Sequence, residues 1–133
     1  MKKILFVDDD ELIRVVCMDI ISILAPKEFE IVTALNGKEG LEKIQKEGPF
    51  FALVTDFNMP YMTGGELVSE VIKLKIPLDR IIILSGLMEN ETFFSGLDRE
   101  NYKITFQSKP FTPEKLISLL REEPSEQKET QSS

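Results

Sequence analysis

Short apolar runs alternate along the chain with longer segments in which apolar residues recur every three or four positions. Ile4–Val7 and Ile81–Leu84 are entirely apolar, which is typical of strands that are buried on both faces. Phe50–Val54 has the same character. Phe29–Ala34 and Tyr102–Gln107 alternate partly between apolar and polar residues, as strands with one polar face do. The pattern therefore predicts five strands.

Segments with helical spacing separate these strands. The first carries a stripe of apolar residues: Leu12, Ile13, Val16, Cys17, Ile20, Ile21 and Leu24. Shorter stripes predict three more helices: one with Leu41 and Ile44, one with Leu67, Val68, Val71 and Ile72, and one with Leu116, Ile117 and Leu120. Thr112 and Pro113 are typical of the N-cap and first turn of the last helix. Between the fourth and fifth strands, Phe93, Phe94 and Leu97 predict a short helix.

Alternating strands and helices predict an α/β fold in which helices cover both faces of a parallel sheet. The wholly apolar first, third and fourth strands should be central, and the alternating second and fifth strands should lie at the edges. The order that fits is 2-1-3-4-5, the flavodoxin-like (βα)5 arrangement. Residues 1–121 are predicted to form one domain, and residues 122–133, which lack apolar side chains, a disordered tail.

Charge and composition exclude several functions. The chain has 23 acidic and 16 basic residues, and its net charge of -7 opposes direct binding to nucleic acid. Its apolar runs are too short to span a membrane, and the aspartates that follow the basic start argue against a signal peptide. We therefore expect a cytoplasmic protein. With no histidine and only Cys17, Ser/His or Cys/His catalysis and multi-cysteine metal sites are excluded, and Cys17 is expected in the core.

Polar residues follow four of the predicted strands. Asp8, Asp9 and Asp10 come after the first strand, and Asp56 ends the third. Ser85 and Lys109 follow the fourth and fifth, respectively. In a doubly wound sheet, the carboxyl ends of the first and third strands flank the crevice where the chain reverses direction. Each feature alone is more often structural, but their common location predicts one reactive site.

Several carboxylates in one crevice need a cation or protons. Two unit charges near 4 Å repel by roughly 4 kcal/mol at an effective dielectric constant of about 20. Oxygen ligands without histidine or cysteine favour a hard ion, and Mg²⁺ fits best because it takes one or two carboxylates beside phosphate oxygens. A lysine and a hydroxyl nearby would suit a phosphoryl group, whose oxygens carry negative charge. Without a phosphoryl group, Lys109 is expected to pair with Asp56.

Four segments, VDDDELIR, TDFNMPYMTG, ILSG and SKPF, resemble the ordered motifs of the receiver domain of two-component response regulators. The resemblance extends from Lys3 to about Leu120 and is highly specific. It implies that Asp56 is the phosphoacceptor and attacks a phosphohistidine of a histidine kinase or histidine phosphotransfer protein. It also implies that this reaction depends on Mg²⁺.

The resemblance also assigns the metal ligands. Asp9 and Asp56 would bind Mg²⁺ through their side chains, Asn58 through its backbone carbonyl, and Asp8 through water. The resemblance further implies a protein that does not insert into a membrane and does not catalyse multiple turnovers. The domain would only take up a phosphoryl group from a donor and hydrolyse it again.

The remaining roles concern the phosphoryl group and the output. By resemblance, Ser85 would form a hydrogen bond with the phosphoryl group, Lys109 would contact another of its oxygens, and the Lys109–Pro110 peptide bond would be cis. Phosphorylation would move Ser85 and turn Phe106 inward, creating a surface for a downstream protein. This surface comprises the fifth strand and the helices before and after it.

The chain departs from the family pattern in two places. Thr63 stands where an aspartate is usual, and Glu100 and Asn101 replace the small residues that normally precede the fifth strand. Neither departure falls on a residue of the proposed chemistry. The second lies beside the expected output surface.

Two alternatives to a stand-alone receiver are open. A magnesium phosphatase of the haloacid dehalogenase type also uses an aspartate after its first strand, but its motif needs Thr or Val where this chain has Leu12, and a cap domain would not fit the length. A receiver-like interaction module without a switch would lack a response to phosphorylation. The start at Met1 and the polar end favour a complete small protein.

Overall fold

The computed structural model describes residues 1–86 and 102–122. Within these ranges, strands and helices alternate as predicted. The strands are β1 (Lys2–Val7), β2 (Phe29–Ala34), β3 (Ala52–Asp56), β4 (Arg80–Ser85) and β5 (Lys103–Ser108). The helices are α1 (Glu11–Leu24), α2 (Gly37–Lys46), α3 (Gly64–Lys73) and α4 (Pro113–Arg121). The helix predicted between the last two strands, the pair Glu100 and Asn101, and the tail after residue 122 lie outside the described residues.

The strands form one parallel sheet in the order β2-β1-β3-β4-β5. This confirms the flavodoxin-like arrangement and the edge positions of the two alternating strands. Every residue of β3 and β4 is buried, whereas β2 and β5 each keep half-exposed residues. A central strand of a parallel sheet has a helix layer on each face, and therefore needs apolar side chains at consecutive positions.

Successive residues of the central strands pack into different core layers. In β1, Ile4 and Phe6 face the layer of α1 and α4, whereas Leu5 and Val7 face the layer of α2 and α3. Cys17 lies in the first of these layers and is 4% exposed, as expected from its place in the apolar stripe. Burial raises the pKa of its thiol to about 11, which leaves the cysteine unreactive.

Strand β3 begins later than its apolar run indicates, and it ends at Asp56 as predicted. It starts at Ala52 rather than Phe50, and it includes Asp56, which pairs in register with Leu84 of β4. Backbone pairing continues through Asp56 to the edge of the sheet. Asp56 is therefore held by the sheet itself.

Part of the predicted apolar stripe of α1 faces solvent. Cys17 and Ile21 are buried, but Leu12 is 68% exposed and Leu24 46% exposed. Only part of the stripe is buried, because α1 carries more apolar positions than one face of the helix can bury.

The helix ends follow the local sequence. The side chain of Asp10 caps α1 by accepting the N–H of Leu12 at 2.9 Å, and Thr112 caps α4, in which Pro113 is the first residue. The Lys109–Pro110 peptide bond is cis, as the resemblance implied. Among residues 1–86 and 102–122, every helix is too short or too polar to cross a membrane.

Candidate functional site

Three carboxylates meet at the carboxyl ends of β1 and β3. The strands pair in parallel with Val7 opposite Thr55, so the residues that follow, Asp8 and Asp56, lie side by side. One carboxylate oxygen from each of Asp8, Asp9 and Asp56 lies within 4.8 Å of the others. Asp8 and Asp56 are buried, whereas Asp9 is exposed at the mouth of the crevice. We refer to these three side chains as the acidic cluster.

The side chain of Asp8 has one satisfied and one unsatisfied oxygen. Its Oδ1 accepts the N–H of Asp10 at 2.9 Å. Its Oδ2 is buried, and none of residues 1–86 and 102–122 offers it a hydrogen bond. A buried acceptor without a donor is uncommon in proteins, and on a carboxylate that lies beside two others it suits a cation. The donor set of the cluster, oxygen only, fits Mg²⁺.

The pKa of the Asp8 carboxyl is raised above its ordinary value. Burial is the main cause; the hydrogen bond from Asp10 acts in the opposite direction, and the nearby Asp56 carboxylate raises the pKa further. Protons therefore compete with cations for this carboxyl group at higher pH than at an ordinary aspartate.

Lys109 reaches into the cluster from the end of β5. Its Nζ lies 3.0 Å from Oδ2 of Asp56, which is the ion pair expected from the sequence. Its backbone N–H donates to the carbonyl oxygen of Ser85 at 2.9 Å, so that the ends of β4 and β5 are joined at the site. Ser85 is 5% exposed at the end of β4. One cation therefore faces several carboxylates.

The loop between β3 and α3, residues 57–63, carries Asn58, which is exposed two positions after Asp56. The N–H of Phe57 donates to the carbonyl oxygen of Leu84 at 2.9 Å, which ties the start of the loop to β4. At its end, Thr63 caps α3: Thr63 Oγ1 accepts the N–H of Glu66 at 3.1 Å, and the Glu66 side chain accepts the N–H of Thr63 at 2.9 Å. Threonine thus serves as the cap here, which explains how the chain tolerates the departure at this position.

Arg14 is a neighbour of the site that the sequence pattern did not reveal. Its Nη1 donates to the carbonyl oxygen of Asp8 at 2.7 Å and so fixes the turn between β1 and α1. Its place on α1 offered no signal, because an arginine on a helix usually lies in solvent. Phe106, the predicted switch residue, lies in β5 outside the acidic cluster and packs half-buried against the core beneath α2 and α3.

A cavity of about 350 Å³ opens beside the acidic cluster, between α1 and the segment before α4. It is lined by Asp8, Ile13, Lys109, Pro110 and Phe111. Its walls are mostly apolar, and its polar groups belong to the acidic cluster and its lysine. The cavity therefore places apolar walls next to the acidic cluster.

The sheet order and the acidic cluster with its lysine define a flavodoxin-like domain with a carboxylate site for a hard cation. The sequence profile described as the response regulator receiver domain matches residues 4–121, and the chain belongs to this family. Receiver domains bind Mg²⁺ in an acidic pocket of this kind and are generally not true enzymes.

Similar proteins agree with this assignment. The chain is 30% identical over 118 residues to the "Probable C4-dicarboxylate response regulator DctR" of Bacillus subtilis, covering 89% of this chain and 50% of that protein. A CheY-like receiver domain protein of Methanospirillum hungatei has a TM-score of 0.77 and 28% identity, with 98% of each chain covered.

A third similar protein, TrrA of Thermotoga maritima, has been solved in complex with Mg²⁺ and BeF. It shares 30% identity at a TM-score of 0.63, over 90% of this chain and 99% of that chain. The chain spans half or less of the length of the curated relatives with which it was compared.

Proposed function

We propose that this receiver domain accepts a phosphoryl group on Asp56 from a phosphohistidine of a histidine kinase or a histidine phosphotransfer protein. The observation that carries the proposal is the pairing of buried Asp56 with Lys109 at 3.0 Å inside the acidic cluster. A buried carboxylate at the end of a strand, next to a cation, is a nucleophile held in fixed position.

In the proposed step, a carboxylate oxygen of Asp56 attacks the phosphorus atom. The bond between phosphorus and the imidazole nitrogen breaks, the nitrogen leaves with the electron pair, and an acyl phosphate forms on Asp56. Lys109 would then pair with an oxygen of the phosphoryl group instead of the carboxylate. Ser85, buried at the end of β4, would donate its hydroxyl to another of these oxygens. Hydrolysis of the acyl phosphate would end the signal.

Asp9 and Asp56 would hold Mg²⁺ by their side chains, Asn58 by its backbone carbonyl, and Asp8 through water. The unsatisfied Oδ2 of Asp8 and the 4.8 Å grouping of the cluster support this set. Bound Mg²⁺ would supply positive charge that offsets the carboxylates and the incoming phosphoryl oxygens.

The output would be a change between two conformations. Movement of Ser85 toward the phosphoryl group would let Phe106 turn inward, and the surface around β5 would then bind a downstream protein. Support comes from the pairing of β4 with β5, in which Ile83 lies opposite Phe106 and Ser85 opposite Ser108. A displacement of Ser85 would therefore be transmitted to β5 through this pairing.

The alternatives make different predictions. A haloacid dehalogenase phosphatase has no support from the fold family, and Leu12, which stands at its Thr or Val position, lies 68% exposed on α1. A receiver-like module without a switch differs from the proposal only in its response to phosphorylation. The deciding experiment must therefore imitate the phosphoryl group.

Titration with beryllofluoride and Mg²⁺, followed by two-dimensional nuclear magnetic resonance, tests the proposal. Beryllofluoride binds a carboxylate at the position that a phosphoryl group would occupy, and this binding depends on Mg²⁺. We expect shifts at Asp56, Ser85 and Lys109 that extend to Phe106, and no such shifts with fluoride and Mg²⁺ alone. A spectrum unchanged at saturating beryllofluoride would refute both the phosphoacceptor and the switch.

The exposed face of α1 supports docking of the phosphodonor. Leu12, Val15 and Ile23 are 68%, 48% and 73% exposed and follow helical spacing along one side of the helix. Its first turn adjoins the acidic cluster, because Asp10, which caps the helix, donates its N–H to Oδ1 of Asp8. An exposed apolar stripe of this kind marks an interaction surface. A partner helix that packs along it would bring its phosphohistidine to Asp56, with a neighbouring apolar side chain in the cavity beside Phe111.

Replacing Val15 and Ile23 by glutamate tests this docking surface. We expect phosphotransfer from a panel of phosphorylated histidine kinases to fall roughly tenfold or more, because two charges would be buried in the interface. Phosphorylation by acetyl phosphate, which needs no docking, should keep its rate. Leu74→Glu, at a residue that is 46% exposed at the end of α3, is the matched control and should change neither rate. An unchanged kinase rate in the α1 variant would rule out this surface.

A further inference from the structure

The loop between β3 and α3 touches the amino end of α2. Gly37, the first residue of α2, donates its N–H to the carbonyl oxygen of Met62 at 3.2 Å. A methyl group at Gly37 would lie 2.5 Å from that oxygen and 2.8 Å from Met62 Cβ. Both atoms are part of the Met62 backbone or fixed to it, so a rotation of the Met62 side chain could not make room. A side chain at position 37 would therefore require the backbone of Met62 to move.

The other end of this loop is pressed against Asp56. A Cβ atom at Gly64 would lie 2.1 Å from the carbonyl oxygen of Asp56, and the N–H of Gly64 donates to the carbonyl oxygen of Phe57 at 2.8 Å. Between the two ends, Met59 is 7% exposed and packs into the core beneath α3. Tyr61, with a φ of 69°, forms the tip of the loop and is 88% exposed. The path of the loop past Asn58 is thus set by a few close contacts.

The amino end of α2 is itself held firmly. Asn36 caps the helix by accepting the N–H of Glu39 at 2.8 Å, and Glu39 in turn accepts the N–H of Leu35 at 2.8 Å. These two hydrogen bonds close a reciprocal cap around the turn before the helix. If a side chain were added at Gly37, the residue that would have to move is therefore Met62.

We propose that Gly37 is a positioning residue for Mg²⁺ binding: its contact with Met62 sets the distance between the loop that carries Asn58 and the acidic cluster. The inference rests on the proposed function, in which the Asn58 carbonyl is a metal ligand. Mg²⁺ demands near-ideal octahedral geometry, so a small displacement of one ligand weakens binding. Residues that hold metal ligands in place typically contribute tenfold or more to metal affinity. The β2–α2 turn would thus tune a site to which it donates no ligand.

The test is the Kd for Mg²⁺ of Gly37→Ala, measured by isothermal titration calorimetry. We expect this Kd to rise roughly tenfold or more. The rate of phosphorylation by acetyl phosphate should fall at limiting Mg²⁺ and return to the wild-type rate at saturating Mg²⁺. A loss of fold alone would not be rescued in this way.

Gly40→Ala is the matched control, because it adds the same methyl group one turn later on α2. Its Cβ would meet only side-chain carbons, of Val7 at 3.1 Å and Leu67 at 3.4 Å. We expect a lower Tm with an unchanged Kd for Mg²⁺. If Gly37→Ala does not fold, Met62→Ala replaces it. This variant loses the side chain that packs Met62 against the core, so the carbonyl group that contacts Gly37 is no longer held in place and the Kd for Mg²⁺ should rise severalfold.

The outcomes separate the two proposals. This inference alone would be overturned if the wild type binds Mg²⁺ and the folded Gly37→Ala has the same Kd. If Gly37→Ala is unfolded, the same Kd in Met62→Ala would overturn it. A wild-type protein that binds no Mg²⁺ would overturn the proposed function and this inference with it. A raised Kd in Gly37→Ala with a wild-type Kd in Gly40→Ala would support the role of Gly37 as a positioning residue.

Discussion

Asp56→Asn is expected to abolish stoichiometric phosphorylation by acetyl phosphate and by phosphorylated histidine kinases. The amide oxygen is a far weaker nucleophile than a carboxylate. Among residues 1–86 and 102–122, Asp56 is the carboxylate that ends β3 and lies 3.0 Å from Lys109. Intact-protein mass spectrometry would follow the gain of one phosphoryl group. The wild type should gain one, and the variant none.

The fold of Asp56→Asn should survive. The substitution removes an ion pair with Lys109, but it also removes repulsion between Asp56 and Asp8, which contributes to the raised pKa of Asp8. These effects oppose each other, so we expect little change in Tm. Asp10→Asn is the matched control, since it also removes one negative charge near the site and asparagine caps helices as well as aspartate does. It should be phosphorylated normally, and phosphorylation that persisted in Asp56→Asn would refute the assignment.

Lys109→Met is expected to slow phosphorylation by about a hundredfold or more, which is typical for the loss of one charged donor at a transition state. Methionine keeps the length of the side chain but leaves the phosphoryl oxygens without this positive charge. The Kd for Mg²⁺ should stay the same or fall, because the acidic cluster loses the cation that competes with the metal. Calorimetry and the initial rate of phosphorylation at saturating Mg²⁺ measure the two effects separately.

Lys103→Met provides the comparison for this variant. Lys103 starts the same strand and lies 3.6 Å from Glu122, at the end of the sheet away from the acidic cluster. Its loss should leave the phosphorylation rate unchanged. If Lys109→Met also kept the wild-type rate, Lys109 would be only a structural partner of Asp56, and the role proposed for it would be wrong.

Most of the fold followed from the sequence pattern. Buried parallel strands need apolar side chains on both faces, so the central strands could be told from the edge strands and the strand order followed. The predicted cap at Thr112 and the core position of Cys17 are also confirmed. Periodicity identified α1 as a helix, but it did not show which of its apolar positions a neighbouring element would cover.

The sequence predicted which residues form the site, but it did not predict the distances and hydrogen bonds between them. The strand ends fixed which side chains share one edge of the sheet, and the structure brings Asp8, Asp9, Asp56 and Lys109 together there. The sequence could not reveal the hydrogen bond from Arg14 to Asp8 or the contact between Gly37 and Met62. These contacts join residues that are close only in the folded chain, and no repeating pattern in the sequence marks them.

The sequence by itself thus determined the α/β class, the order of the strands and the family, because the apolar pattern and the motif spacing are present along the chain itself. Only the tertiary structure decided that Oδ2 of Asp8 lacks a donor among the described residues, that α1 leaves an apolar face in solvent, and that α2 supports the loop after Asp56. The reason is physical: these features depend on distances of a few ångströms between segments far apart in sequence, and packing alone sets those distances.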